Sequence, residues 1–332
     1  MTGDKLLEVR DLSISFRTAR GIAQAVSGSN FSIGAGERVG MVGESGSGKS
    51  LTGLSLLGLT PPAAQVSGEV LLDGVDLLTL TQKELRKKRG KQVSMIFQEP
   101  MTALDPVFTV GQQISATFRA HHGESRAAAK ERSIDLLQEV GIPEPKRRYR
   151  EYPHQLSGGM RQRAMIAMAL VCEPQLLIAD EPTTALDVTI QAQVLDLIVK
   201  LSEERGTALL LITHDLGVIA ETCERVLTMY AGQIVEQATV DEALEGPQHP
   251  YTSGLLSAIP RRGVAAEDLQ SIPGRVPAPV DFPTGCRFGP RCEHQVEACL
   301  EPQELLSVGP NRLVRCGRYS ELTLPSAVPP GM

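Results

Sequence analysis

The sequence has no apolar run long enough to cross a membrane. Its most apolar stretches, Ala208 to Ile212 and Leu51 to Leu59, fall short of the ~18 residues that suggest a span, and Gly53 and Gly58 interrupt the second. The start, Met-Thr-Gly-Asp-Lys, lacks the apolar core of a secretory signal. The chain is therefore expected in the cytosol, and any membrane role would come through partners. Basic excess is missing too. With 33 Lys and Arg against 39 Asp and Glu, the formal charge is −6, which argues against nucleic acid as a partner. The basic runs Lys83 to Lys91 and Lys146 to Arg150 read as solvated faces of a helical region. Internal repeats and sustained heptads are absent. No Cys-x₂₋₄-Cys pair occurs, although there are six cysteines.

What is present is ample material for a core: 42% hydrophobic residues in a chain of 332. Leu6 to Arg10 and Leu12 to Phe16 alternate as strands do, and Ala25 to Ile33 supplies another. Arg38 to Val42 leads into a glycine-rich turn, and a helix is expected from Lys49 towards Leu59. Thr81 to Arg150 reads as mostly helical, with helical spacing clearest from Ala127 to Val140. Then helices, Met160 to Cys172 and Thr189 to Glu204, alternate with wholly apolar strands, Leu176 to Ala179 and Ala208 to Ile212. That pattern implies an α/β fold with a parallel sheet buried on both faces. Composition shifts near Gly246, since 13 of the 22 prolines lie at or after Pro247. Proline suits neither helix interiors nor central strands. A main domain is expected over residues 1–245, a loop-rich extension over 246–321, and a disordered tail over 322–332.

Three local patterns carry chemistry. Gly43-Glu44-Ser45-Gly46-Ser47-Gly48-Lys49-Ser50 fits a phosphate-binding loop. Its glycines let backbone N–H groups converge on one anion, and the helix behind adds its positive end. Lys49 would reach the β- and γ-phosphates of a nucleotide, and the Ser50 hydroxyl would ligate Mg²⁺. The strand Leu176 to Ala179 runs into Asp180-Glu181, at the strand end where parallel sheets bind ligands. Asp180 is placed to hold Mg²⁺ and Glu181 to polarise water. A second buried strand ends in His214-Asp215, which points to a contact between His214 and the γ-phosphate or the water. Ser157, Gly158 and Gly159 precede a long helix and form a second anion-ready N-terminus.

Leu156-Ser157-Gly158-Gly159-Met160-Arg161-Gln162 resembles the LSGGQ signature of ABC ATPases, with Met160 where the shortest consensus has Gln. The resemblance implies a P-loop NTPase with a RecA-like core, an antiparallel β subdomain and a helical signature subdomain over about 99–172. It also implies that two ATPs are clamped between two ATPase domains, each signature facing the other domain's phosphate loop. Gln98, after the strand Val93 to Phe97, is similar to the Q-loop glutamine that senses Mg²⁺ and the membrane subunits. Thr184 to Asp187 resembles the D-loop, His214 the switch histidine, and Phe16 the aromatic residue that stacks on adenine. Phe97-Gln98-Glu99-Pro100-Met101-Thr102-Ala103-Leu104-Asp105-Pro106, His249-Pro250-Tyr251-Thr252 and Ile272-Pro273-Gly274 are similar to the oligopeptide/dipeptide/nickel importer branch. The likeness runs from about Leu6 to Tyr319.

Cys172 and Cys223 read as buried small hydrophobes. Cys286, Cys292, Cys299 and Cys316 sit in the proline-rich extension, separated by five, six and sixteen residues. Disulfides do not suit the cytosol, and zinc usually shows a close pair. A [4Fe–4S] cluster takes four thiolates at varied spacing, and some importer ATPases with this extension hold one. Zinc and free thiols remain the alternatives.

The expectation is therefore an ATP- and Mg²⁺-dependent ATPase subunit on the cytoplasmic face of the cell membrane. Its partners would be a second, related ATPase, two membrane-spanning permeases and an extracytoplasmic binding protein. Peptides lead as the imported substrate, with nickel complexes or glutathione as alternatives. A soluble ABC ATPase is the more distant reading. The long coiled coil of DNA-repair types and the doubled domain of translation factors are both missing.

Overall fold

The computed structural model describes residues 5–98, 103–183, 188–258 and 272–327. In chain order the strands are β1 (Lys5–Thr18), β2 (Gly21–Gly34), β3 (Arg38–Val42), β4 (Ala64–Leu72), β5 (Val75–Asp76), β6 (Val93–Ile96), β7 (Leu176–Asp180), β8 (Ala208–Thr213), β9 (Arg225–Tyr230), β10 (Gln233–Thr239), β11 (Leu306–Gly309) and β12 (Arg312–Val314). The α-helices are α1 (Lys49–Ser55), α2 (Gln82–Lys88), α3 (Val110–His122), α4 (Arg126–Glu139), α5 (Pro145–Arg148), α6 (Gly158–Leu170), α7 (Val188–Arg205), α8 (Leu216–Thr222), α9 (Val240–Glu245) and α10 (Pro250–Ser257). The chain divides into two compact units. One takes residues up to 6, 33–37 and 79–210; the other takes 7–32, 38–78 and the chain from 211 on.

The first unit holds β6 and β7 as a parallel pair, from Val93 opposite Leu176 to Ile96 opposite Ala179. Every residue of both strands is buried. Continuous apolar runs become strands covered on both faces because neither face can be left to water. Each fully buried Leu or Ile there contributes ~1.5–3 kcal/mol. The helices of this unit are well punctuated. Thr109 caps α3 with a reciprocal bond from Gln112, and Ser125 caps α4 through the Ala128 N–H. Between them runs a buried hydroxyl chain, Ser133 to Ser115 at 2.8 Å and Ser115 to Tyr149 at 3.0 Å. On α2 the basic run is solvated, with only Leu85 buried.

The second unit contains an antiparallel sheet in the order β2-β1-β4-β5. The two alternating runs before residue 17 are one strand. Its register shifts between Arg10 and Ser13, at Asp11, whose φ is +48° and whose N–H donates to Asn30 Oδ1 at 2.9 Å. One extra residue changes which parity faces inward, so Leu7 and Val9 are followed in the core by Leu12 and Ile14. A further run of strands has the order β11-β12-β10-β9-β3. β3 is parallel to β9, whereas β9, β10 and β12 pair antiparallel.

Several expectations need correction. The helix after the phosphate loop ends at Ser55, because Gly58 takes a φ of +60° and the Leu59 N–H turns back to the Leu54 carbonyl. The proline-rich extension carries two strands, and Pro310 falls in the turn between them rather than within a ladder. The tail is not free as far as Ala327. Ser253 Oγ donates to the Pro325 carbonyl at 2.7 Å, and the Ala327 N–H donates to the Leu244 carbonyl at 2.8 Å.

Candidate nucleotide site

The phosphate loop and His214 belong to the second unit. Gln98, Asp180, Glu181 and the signature belong to the first.

In the second unit, β3 delivers a loop that only glycine can build at two points. Gly43 has φ +157°, and a Cβ there would fall 2.0 Å from the Met229 carbonyl oxygen. Gly48 has φ +102°, with a Cβ 2.9 Å from the Ala25 carbonyl oxygen. Lys49 is buried. Its ammonium donates to the carbonyls of Gly43 at 2.6 Å and Glu44 at 3.1 Å, so the charge lies inside the loop. Ser45 and Gly46 form the exposed crest, Ser47 is buried, and Ser50 is half-buried in the first turn of α1. Gly48 caps that helix without a side-chain bond. Phe16 lies on β1 opposite Ala64, half-buried. His214 is exposed just after β8, and the Asp215 carboxylate caps α8, accepting from the Gly217 N–H at 2.8 Å.

In the first unit, β7 ends at the buried Asp180. Glu181 follows with φ +43°. A non-glycine residue in that region costs ~1–3 kcal/mol and persists only where its surroundings hold it. Two contacts bear on this segment. Gln98 Nε2 donates to Glu181 Oε2 at 3.0 Å, and Gln162 Nε2, from α6, donates to the Pro182 carbonyl. The structure thus brings Gln98 and Glu181 together, and it ties the signature helix to the residue after Glu181. At the start of that helix Leu156 is buried, whereas Ser157 and Gly158 are exposed. Ser157 Oγ accepts the Met160 N–H at 3.4 Å. Thr184 to Asp187 and Glu99 to Thr102 lie outside the described residues.

Cys286, Cys292, Cys299 and Cys316 all line one cavity of about 20 Å³. Burial pushes the Cys286 and Cys316 thiols up and the Cys292 thiol to about 11. Among the described residues, no group of three or more His, Cys, Asp or Glu is disposed to hold a metal ion. Cys172 and Cys223 are buried, and burial raises each thiol to about 11, which leaves them inert.

One contact had no sequence signal. Arg291, between Pro290 and Cys292, forms an ion pair with Glu44 of the phosphate loop at 2.6 Å. The two residues are 247 positions apart, and neither local spacing nor periodicity reports such a pair.

A glycine loop with its lysine, a buried strand ending in Asp-Glu, and a capped Ser-Gly-Gly helix start in one α/β chain define the ABC class of P-loop ATPases. The comparisons agree. The ABC transporter family model matches residues 26–184, and the model for the oligopeptide/dipeptide transporter C-terminal region matches residues 235–299. A probable peptide ABC transporter ATP-binding protein, y4tR of Sinorhizobium fredii, is 51% identical over 323 residues, covering 96% of each chain. The oligopeptide transport ATP-binding protein AppD of Bacillus subtilis is 50% identical over 319 residues, covering 95% of this chain and 97% of that one. The dimeric ATP-binding cassette MJ0796, solved with ADP and Pi, matches with a TM-score of 0.64 at 29% identity, covering 70% of this chain and 98% of that one. The chain belongs to the ABC transporter ATP-binding proteins of the oligopeptide/dipeptide family. No helix among the described residues is long and apolar enough to cross a membrane.

Proposed function

We propose that the chain is the ATP-hydrolysing subunit of a peptide importer, working at the cytoplasmic face of the membrane. The observation that carries this is the convergence of Gln98 on Glu181 at 3.0 Å. It supports a reading in which Gln98, as sensor of the membrane subunits, acts on Glu181, the water-activating carboxylate. The printed names of y4tR and AppD, both peptide-transport ATP-binding proteins, support peptides as the substrate class.

In this reading Lys49 and the loop amides bind the phosphates, and Phe16 stacks on adenine. The Ser50 hydroxyl and the Asp180 carboxylate are each an oxygen donor of the kind Mg²⁺ prefers, and Mg²⁺ would neutralise phosphate charge. Glu181 orients and deprotonates water, and His214 supports the γ-phosphate. Ser157 and the Gly158 amide, exposed at a helix N-terminus, serve the nucleotide of a second ATPase. Phe97, which precedes Gln98, and Val107 and Phe108, at 39%, 68% and 51% exposure, are apolar residues left to solvent, and they suit contact with a permease subunit. ATP drives the cycle because it binds the closed dimer better than the open one.

The residues at the four-cysteine site fit a [4Fe–4S] cluster. Four thiols line one cavity, and the charges of Arg315 and Arg318 act on Cys286, Cys299 and Cys316, which would balance an anionic cluster. A bound cluster would staple the loop-rich extension. About four irons and four sulfides per anaerobically purified chain, lost in Cys292→Ser, are expected. Colourless, iron-free protein after anaerobic reconstitution would remove the cluster and leave the ATPase.

The decisive test is Glu181→Gln in the assembled complex. ATP binding should persist while turnover falls by roughly 10²-fold or more, and uptake of labelled peptide should fall with it. Unchanged steady-state hydrolysis would remove Glu181 from its role.

A further inference from the structure

Arg291 closes a single helical turn, Gly289–Arg291, and its side chain is only 5% exposed. A buried guanidinium has five N–H donors to satisfy. Nε donates to the Pro273 carbonyl at 2.7 Å. Nη1 reaches Glu44 Oε2 at 2.6 Å and the Tyr230 hydroxyl at 3.4 Å. Nη2 reaches Glu44 Oε1 at 3.1 Å and the Ile272 carbonyl at 3.3 Å. The pair with Glu44 is therefore two-pronged, a geometry that fixes orientation as well as charge. Burial works against the Arg291 charge, but the bonds to Glu44 and Tyr230 more than offset it and leave the group more basic than usual.

Glu44 is also held by its backbone. Its N–H donates to the Tyr251 hydroxyl at 2.8 Å. Tyr251 is fully buried, packed against Tyr230 at 4.6 Å and Phe288 at 5.4 Å between ring centroids. The Glu44 carbonyl in turn accepts from Lys49 Nζ at 3.1 Å. One continuous chain of contacts thus runs from the extension, through Glu44, to the lysine of the phosphate loop. Without Arg291, the Glu44 carboxylate would be an unpaired anion in a loop that must receive a polyphosphate.

We propose that Arg291, with Tyr251, is a positioning residue for the ATPase: the extension sets the Glu44 peptide and cancels its charge, and so presents Lys49 and the loop to nucleotide. This rests on the reading of residues 43–50 as the phosphate loop.

The test uses the full chain in its assembled complex. ATP binding is read with a fluorescent ATP analogue, and KM and kcat are taken from steady-state hydrolysis. Arg291→Ala should raise the Kd and KM for ATP about tenfold while kcat changes less than about threefold, the signature of lost ground-state binding. Adding Glu44→Gln to Arg291→Ala should restore most of the affinity, because the unpaired anion is gone. Arg291→Lys should fall between, since a single ammonium cannot reproduce the fork. Tyr251→Phe removes only a hydroxyl and serves if Arg291→Ala does not fold; it should weaken ATP roughly threefold. Wild-type affinity in a folded Arg291→Ala or Tyr251→Phe chain overturns the proposal. So does a double variant no better than Arg291→Ala alone. Failure of the unsubstituted chain to bind ATP would overturn the phosphate-loop reading as well.

Discussion

Two helices in this protein start behind a glycine run, and their surroundings differ. The phosphate loop before α1 is held from inside its own unit. Gly43 is packed against Met229, Ser47 is buried, the Gly232 N–H donates to the Ser47 carbonyl at 2.9 Å, and Tyr251 and Arg291 grip Glu44. The signature before α6 has little around it. Ser157 caps its own helix, Ser157 and Gly158 are exposed, and a Cβ on Gly158 would meet nothing within 4 Å. An anion site that works within one chain can be preorganised by that chain. One that serves a partner must stay uncovered until the partner arrives.

Substitutions at matching positions sharpen this contrast. The largest effect is expected from Gly43→Ala. Its methyl would collide with the Met229 carbonyl, so the fold should lose ~1–3 kcal/mol or more, and ATP binding by the chain should disappear in titration calorimetry. Acid comes next. His249 is buried and its pKa is lowered to about 3, chiefly by burial and then by the Arg315 charge. Its Nδ1 accepts the Tyr251 N–H at 3.0 Å, and its own N–H donates to the Glu236 carboxylate. Because the folded pKa lies below the unfolded one, this stability is complete above about pH 6.5. It is lost as pH falls towards 3, at up to about 1.4 kcal/mol per pH unit. Urea midpoints taken between pH 7 and 5 should fall, and His249→Gln should flatten the slope. Ser157→Ala removes a cap and should cost ~1 kcal/mol of stability, with ATP affinity of the chain unchanged. Gly158→Ala is the smallest. In open space it should raise stability by a few tenths to ~1 kcal/mol, while hydrolysis in the assembled complex falls. A Gly158→Ala complex with full turnover would break the comparison.

What the sequence made readable was chemistry packed into short windows. The phosphate loop, Asp180-Glu181, His214-Asp215 and the signature each need particular residues within a few positions, so spacing alone exposes them. The apolar runs of β7 and β8, Leu176 to Ala179 and Ala208 to Ile212, were equally plain, since burial on both faces leaves no alternation to decode. What stayed hidden was pairing over distance. Nothing near β10 announces that β12 will lie beside it, with Glu236 opposite Val314. The bulge at Asp11 looked like two strands because alternation stops where the register slips. The early end of α1 depended on Gly58 adopting a left-handed turn, a choice open to any glycine and forced on none. Arg291 and Glu44 are each ordinary in their own neighbourhoods, and only the folded second unit makes them a pair.

That pair also sets a clock. The phosphate loop leaves the ribosome before its clasp, which lies 247 residues downstream. At ~5–20 residues per second, synthesis leaves Glu44 without Arg291 for roughly 10 to 50 s. For that interval the nascent chain carries its nucleotide motif unclasped, and a segment made much later completes the loop. A ribosome that stops short of the extension therefore releases a chain with the motif of an ATPase but without the clasp on its loop.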